Sequence, residues 1–154
     1  MGQTAETRIT VDLLIHNAKL LTLNDADDIF HPGVVAVSDD EIIWVGPEDS
    51  WPTRCEPREQ LDMAGGWVMP GLINAHTHAA MTSFRGIADD LPLSVWLNDH
   101  IFPAEKKMSS ELVDQGTLLA CAEMILGGTT TFCDMYLFED QVARAAHEAG
   151  IRAL

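Results

Sequence analysis

From Gly66 to its last residue the chain alternates short apolar or β-branched runs with helical ones, and this alternation restricts the fold more than any other feature. "GWVMPGLINAH" (66–76) is an apolar run bounded by glycine, the pattern of a strand buried on both faces. "SSELVDQGTLLACAEMILGG" (109–128) predicts a helix. Ser109 or Ser110 caps it, Glu111 sits near the positive end of its dipole, and Gly127–Gly128 stops it. "TTTFCDMY" (129–136) predicts a second strand, "EDQVARAAHEAG" (139–150) a second helix ending at glycine, and "IRAL" (151–154) the start of a third strand. Strands separated by helices run parallel and are joined by right-handed crossovers. The predicted class is therefore α/β: two βα units and the beginning of a third strand, an incomplete portion of a (β/α)8 TIM-type barrel. A whole barrel takes about 250 residues.

The preceding residues have a different character. "ITVDLLIHNAKLLTL" (9–23) reads as strand, "NDADD" (24–28) as a turn, and "GVVAVSDDEIIWVG" (33–46) as a hairpin around Ser-Asp-Asp-Glu. "PEDSWPTRCEPREQ" (47–60) is charged, holds three prolines and reads as a connector. The expected organisation is a polar tail over 1–7, a β region over 8–66 and a βα region over 67–154.

Charge excludes several partners. Nine Lys and Arg against 24 Asp and Glu leave a formal net charge of −15 in 154 residues. Such a field repels phosphate backbones and anionic lipid, so neither nucleic acid nor a membrane surface is an expected partner. No run reaches the roughly 18 apolar residues of a membrane span. The first ten residues lack the apolar core of a secretory signal. Cys55, Cys121 and Cys133 are odd in number and form no CxxC pair, which suits reduced thiols in a cytoplasmic protein.

The chemistry gathers at His76 and His78. Residues i and i+2 of a strand point to one side, so two imidazoles converge at the C-terminal end of the 66–76 run. That is the end where barrel enzymes place their active sites. Neutral imidazole is a common ligand of zinc and other first-row metals. Two structural or solvent-facing histidines are the alternative. By its residues alone Glu105 reads as an ordinary surface acid beside Lys106 and Lys107, and Trp96 equally as core or as pocket lining. His16, His31, His100 and His147 read as structural or exposed.

The wider stretch "LDMAGGWVMPGLINAHTHAAMT" (61–82) resembles the signature of the amidohydrolase superfamily. There an Asp-x-x-Gly turn leads into Val-x-Pro-Gly and a His-x-His pair. Asp62, Gly65, Val68, Pro70, Gly71, His76 and His78 match it. The stretch "HTHAAMTSFRGIADDLPLSVWLNDHIFPAEKKM" (76–108) is similar to the 5-methylthioadenosine/S-adenosylhomocysteine deaminases and to the related triazine chlorohydrolases and aminohydrolases. The match lies at Arg85–Gly86, Asp89 to Leu91, Trp96–Leu97 and Pro103 to Glu105. "GGTTTFCDMY" (127–136) matches the family's second barrel strand.

The resemblance implies a metal-dependent hydrolase barrel with a small composite β-sandwich, of which residues 8–66 are the leading part. It implies that His76 and His78 bind a divalent metal, zinc above all, and that Glu105 and Trp96 contact the substrate. The implied reaction is hydrolytic deamination of a nucleoside, with water attacking the amine-bearing carbon and ammonia leaving. The alternative substrate is another heteroaromatic amine, a triazine included. In the family the acid/base glutamate and a metal-bound aspartate come from later strands, so they are expected beyond Leu154. The chain thus reads as the N-terminal part of such an enzyme and is expected to be inactive by itself. A non-catalytic role is the other reading, in which the open sheet pairs with a second copy or with a complementing C-terminal chain.

Overall fold

The computed structural model describes residues 10–51 and 55–154; the tail expected over 1–7 lies outside them. The chain divides into two compact units, 1–70 and 71–154.

The first unit is a five-stranded sheet: β1 (Thr10–Leu21), β2 (Ile29–Ser38), β3 (Glu41–Pro47), β4 (Glu56–Asp62) and β5 (Trp67–Val68). Its order is β3-β2-β1-β4, with β5 also on β1. The hairpin read from Ser-Asp-Asp-Glu is present. β2 and β3 pair antiparallel across Asp39–Asp40, and Asp39 takes a positive φ of 52°. Val34 and Ala36 join one buried cluster while Val35 and Val37 join another. Alternate residues point to opposite faces, so this sheet carries apolar side chains on both.

Two expectations fail in this unit. The connector read over 47–60 contains β4, which pairs parallel with β1 from Thr10↔Glu56 to His16↔Asp62. "EPREQLD" shows no apolar alternation because β4 is an edge strand, paired only with β1 among the described residues, and six of its seven residues are exposed. Pro57 is tolerated in such an edge strand. The run 66–76 is also not one strand. Trp67 and Val68 pair with β1, while Leu72 opens a separate strand in the second unit.

The second unit is a parallel sheet in chain order: β6 (Leu72–Thr77), β7 (Thr129–Asp134) and β8 (Arg152–Ala153). Between β6 and β7 lie a 3-10 segment (Ala79–Phe84), α1 (Leu93–Val95), a π-turn (Trp96–Ile101), α2 (Phe102–Glu105) and α3 (Ser110–Leu126). α4 (Glu139–Ala149) joins β7 to β8. The helix signals act as read. The Ser109 side chain accepts from the Leu112 amide at 3.2 Å, and Gly150 closes α4 with φ 74°. The core centres on fully buried Phe132, packed with Val113, Cys121, Val142, Ala146 and Ile151.

β6 is not the doubly buried strand its composition predicts: Leu72 is 51% and Ile73 70% exposed. β6 ends the sheet, and only β7 pairs with it among the described residues. Its apolar side chains are therefore hydrophobic without being covered. Pro70–Gly71 is explained by packing. A Cβ on Gly71 would sit 2.1 Å from Thr130 Cγ2, so only glycine lets β6 lie this close to β7. Gly116, in the middle of α3, does the same for the 3-10 segment: a Cβ there would meet the Ala80 carbonyl oxygen at 2.7 Å.

Candidate metal and nucleoside site

The C-terminal ends of β6 and β7 lie side by side, with Thr77 paired to Asp134. His76 is the penultimate residue of β6 and His78 follows its end. Their rings are neighbours, with centroids 5.1 Å apart and planes at 70°. The spacing thus brings the two imidazoles together, as a strand's alternation requires.

Three consecutive residues after β7's buried core organise this pair. The Asp134 carboxylate accepts from the Ala79 amide at 3.1 Å and from the Met135 amide at 2.8 Å. It thereby fastens the backbone just after His78 to the backbone just after β7. Burial pushes the Asp134 carboxyl up from its ordinary 3.8, while the Ala79 and Met135 amides pull it back. Next, the Met135 carbonyl lies 2.7 Å from His78 Nδ1. A carbonyl only accepts, so Nδ1 carries the proton and Nε2 of the neutral ring keeps its lone pair. Metal-binding histidines are commonly oriented in this way. Then the Tyr136 ring lies 5.6 Å from that of His78, and its hydroxyl donates to Glu105 Oε1 at 2.7 Å. Burial and the Glu105 carboxylate push the phenol well above its ordinary 10, so it stays a donor at any physiological pH. The Tyr136 amide in turn donates to the Glu139 carboxylate.

Glu105 is therefore half-buried and tied to the neighbourhood of His78, which an ordinary surface acid would not be. Trp96 is placed elsewhere. It lines a groove of about 390 Å³ with Met81, Phe84, Arg85, Asp89 and Ile101, and neither histidine nor Glu105 lines it. His16 is half-buried, 3.9 Å from Glu48, and His147 is exposed on α4. No group of three or more His, Cys, Asp or Glu positioned to hold a metal occurs among the described residues. The donor set accordingly fits part of a zinc site: two imidazole nitrogens, one of them with its tautomer fixed. A catalytic zinc site usually takes three protein ligands.

Sequence reasoning missed Asp134 and Tyr136 as organisers. Their position at the C-terminal end of a parallel strand, beside the histidine pair, was the available signal. The signature's other residues have structural work. Asp62 Oδ1 accepts from the Ala64 amide and the Asn17 side chain, both at 2.8 Å, and Gly65 takes φ 77° in the same turn.

Known proteins match this arrangement. The family described as "Amidohydrolase family" matches residues 67–154. A 5-methylthioadenosine/S-adenosylhomocysteine deaminase of Syntrophobacter fumaroxidans is 57% identical over 93% of this chain and 33% of its own length. A 5'-deoxyadenosine deaminase of Methanosarcina mazei is 49% identical over 92% and 32%. The crystal structure of an adenosine deaminase from Xanthomonas campestris with bound zinc superposes with a TM-score of 0.90 at 41% identity, covering 96% of this chain and 34% of that one. The chain thus spans about a third of the length of the relatives it matches. With the matched segment holding both histidines, the parallel sheet and the Glu105–Tyr136 contact, this chain belongs to the amidohydrolase family.

Proposed function

We propose that the chain supplies the first third of a zinc-dependent deaminase acting on 5-methylthioadenosine- or S-adenosylhomocysteine-type nucleosides. The observation that carries this reading is the His76–His78 ring pair at the end of β6, with His78 Nδ1 on the Met135 carbonyl and Glu105 close by through Tyr136. His76 and His78 hold two positions of the metal, which supplies Lewis acidity for hydrolysis near neutral pH. Glu105 accepts hydrogen bonds from ribose hydroxyls. The acid/base group that moves the proton to the departing ammonia comes from residues outside this chain. In this reading residues 8–66 belong to the composite β-sandwich and 67–154 open the barrel. A complementing chain or a second copy covers the edge of β6. No helix among the described residues is long and apolar enough to cross a membrane. All three cysteines are free, which suits a reducing cytoplasm.

The nucleoside reading is favoured over triazine chemistry because the relatives at 57% and 49% identity are named as nucleoside deaminases. The test is a chain completed to the relatives' length with the remaining two thirds of the Syntrophobacter fumaroxidans protein. Ammonia release from 5-methylthioadenosine and S-adenosylhomocysteine, with none from aminotriazines and no chloride from chlorotriazines, is the expected result. Release from triazines alone refutes it.

A further inference from the structure

We propose that Tyr136 is a positioning residue: its hydroxyl holds the Glu105 carboxylate beside the histidine pair, where it receives the substrate's ribose diol. This rests on the reading of Glu105 as the ribose-binding group. A glutamate at the end of a short helix has many rotamers, and α2 ends at Glu105. Glu105 Oε1 accepts from the Tyr136 hydroxyl at 2.7 Å, which leaves Oε2 and a second lone pair on Oε1 for a ligand. Tyr136 is itself held from two sides. Its ring rests on His78 at 5.6 Å and 34°, and its amide is bonded to Glu139 at the start of α4. The phenol therefore fixes the distance between the group that meets the sugar and the group that meets the metal. Residues 134–136 then serve three ends in succession: Asp134 anchors the backbone, Met135 orients His78 and Tyr136 aims Glu105.

The test uses the completed enzyme with 5-methylthioadenosine and its 2',3'-dideoxy analogue. Tyr136→Phe keeps the ring on His78 and removes only the hydroxyl. The expected result is a KM raised roughly tenfold for the diol substrate, the equivalent of one hydrogen bond, with kcat falling much less. The KM for the dideoxy analogue and the zinc content stay unchanged. In a Glu105→Gln background, Tyr136→Phe should add little, since both act through one contact. Equal KM increases for both substrates, or independent losses in the double variant, overturn the inference. If Glu105→Gln abolishes the preference for the diol and Tyr136→Phe leaves it intact, only the positioning role fails. If Glu105→Gln itself leaves that preference intact, the ribose reading of Glu105 fails, and the inference falls with it. A second measurement is independent of how Tyr136→Phe folds. Tyr136 is the sole tyrosine of the 154-residue chain, so tyrosine labelled with carbon-13 at Cζ alone gives one NMR resonance. Glu105→Gln must shift it; an unmoved resonance overturns the contact.

Discussion

Replacing Asp134 with alanine should loosen the second unit and release His78 together. The carboxylate accepts two backbone amides, from Ala79 at 3.1 Å and Met135 at 2.8 Å. Hydrogen bonds to a charged group contribute about 1.5–3 kcal/mol each. The half-buried setting that raises the Asp134 pKa offsets part of this, because the ionised form is disfavoured there. A net loss of about 2–4 kcal/mol follows for Asp134→Ala, and roughly half for Asp134→Asn, which keeps one neutral acceptor. The assay is native-state amide exchange in the 154-residue chain. The Phe132 amide, at the buried centre of β7, should exchange roughly 30- to 1,000-fold faster in Asp134→Ala, each 1.4 kcal/mol being tenfold. Nitrogen-15 spectra of the histidine rings provide the second readout. His78 should be the Nδ1–H tautomer in the parent chain and a mixture once the Met135 carbonyl is no longer anchored. Unchanged Phe132 exchange with an unchanged His78 tautomer would refute the reasoning.

Gly116→Ala should destabilise the second unit by about 1–3 kcal/mol, the usual cost of overpacking, because the new methyl meets the Ala80 backbone oxygen; a urea titration measures it. Asp62 is held below its ordinary 3.8 chiefly by the Ala64 amide, then by the Asn17 side chain. A depressed acid stabilises the fold above its unfolded value and loses that contribution as pH falls through its folded one. Protection of the Ala64 amide, relative to its intrinsic exchange rate, should thus fall below pH 3.8, and Asp62→Asn should erase that pH dependence. The 154-residue chain alone should release no ammonia from 5-methylthioadenosine and should bind zinc weakly, since half a ligand set retains much less than the ~10–16 kcal/mol of a structural zinc site. Calorimetry with zinc, beside an ammonia assay, checks both.

Local rules were legible in this sequence, and contacts between distant residues were not. The βα alternation, the Ser109 cap, the glycine after α4 and the Asp39–Asp40 hairpin each depend on neighbouring residues, and each appears where the pattern puts it. The adjacency of His76 and His78 needed only the geometry of a strand. β4 was hidden because an edge strand's side chains face outward, so its residues carry no burial pattern. The apolar run 66–76 signalled hydrophobicity correctly but not coverage, and it concealed the break at Pro70. Asp134 and Tyr136 gave no local sign of their roles. Asp134 bonds to Ala79, 55 residues away, and Tyr136 to Glu105, 31 residues away. Gly116 was visible as a glycine inside a helix, a pattern that signals close packing only once the packed partner is known.

In the proposed function His76 and His78 are metal ligands of a nucleoside deaminase. Zinc content and ammonia release from 5-methylthioadenosine, measured on the completed chain and on its His76→Ala and His78→Ala variants, decide this role. Stoichiometric zinc and turnover are expected in the parent, with both lost together in each variant. Full zinc content in either variant, or turnover that survives both substitutions, would contradict it.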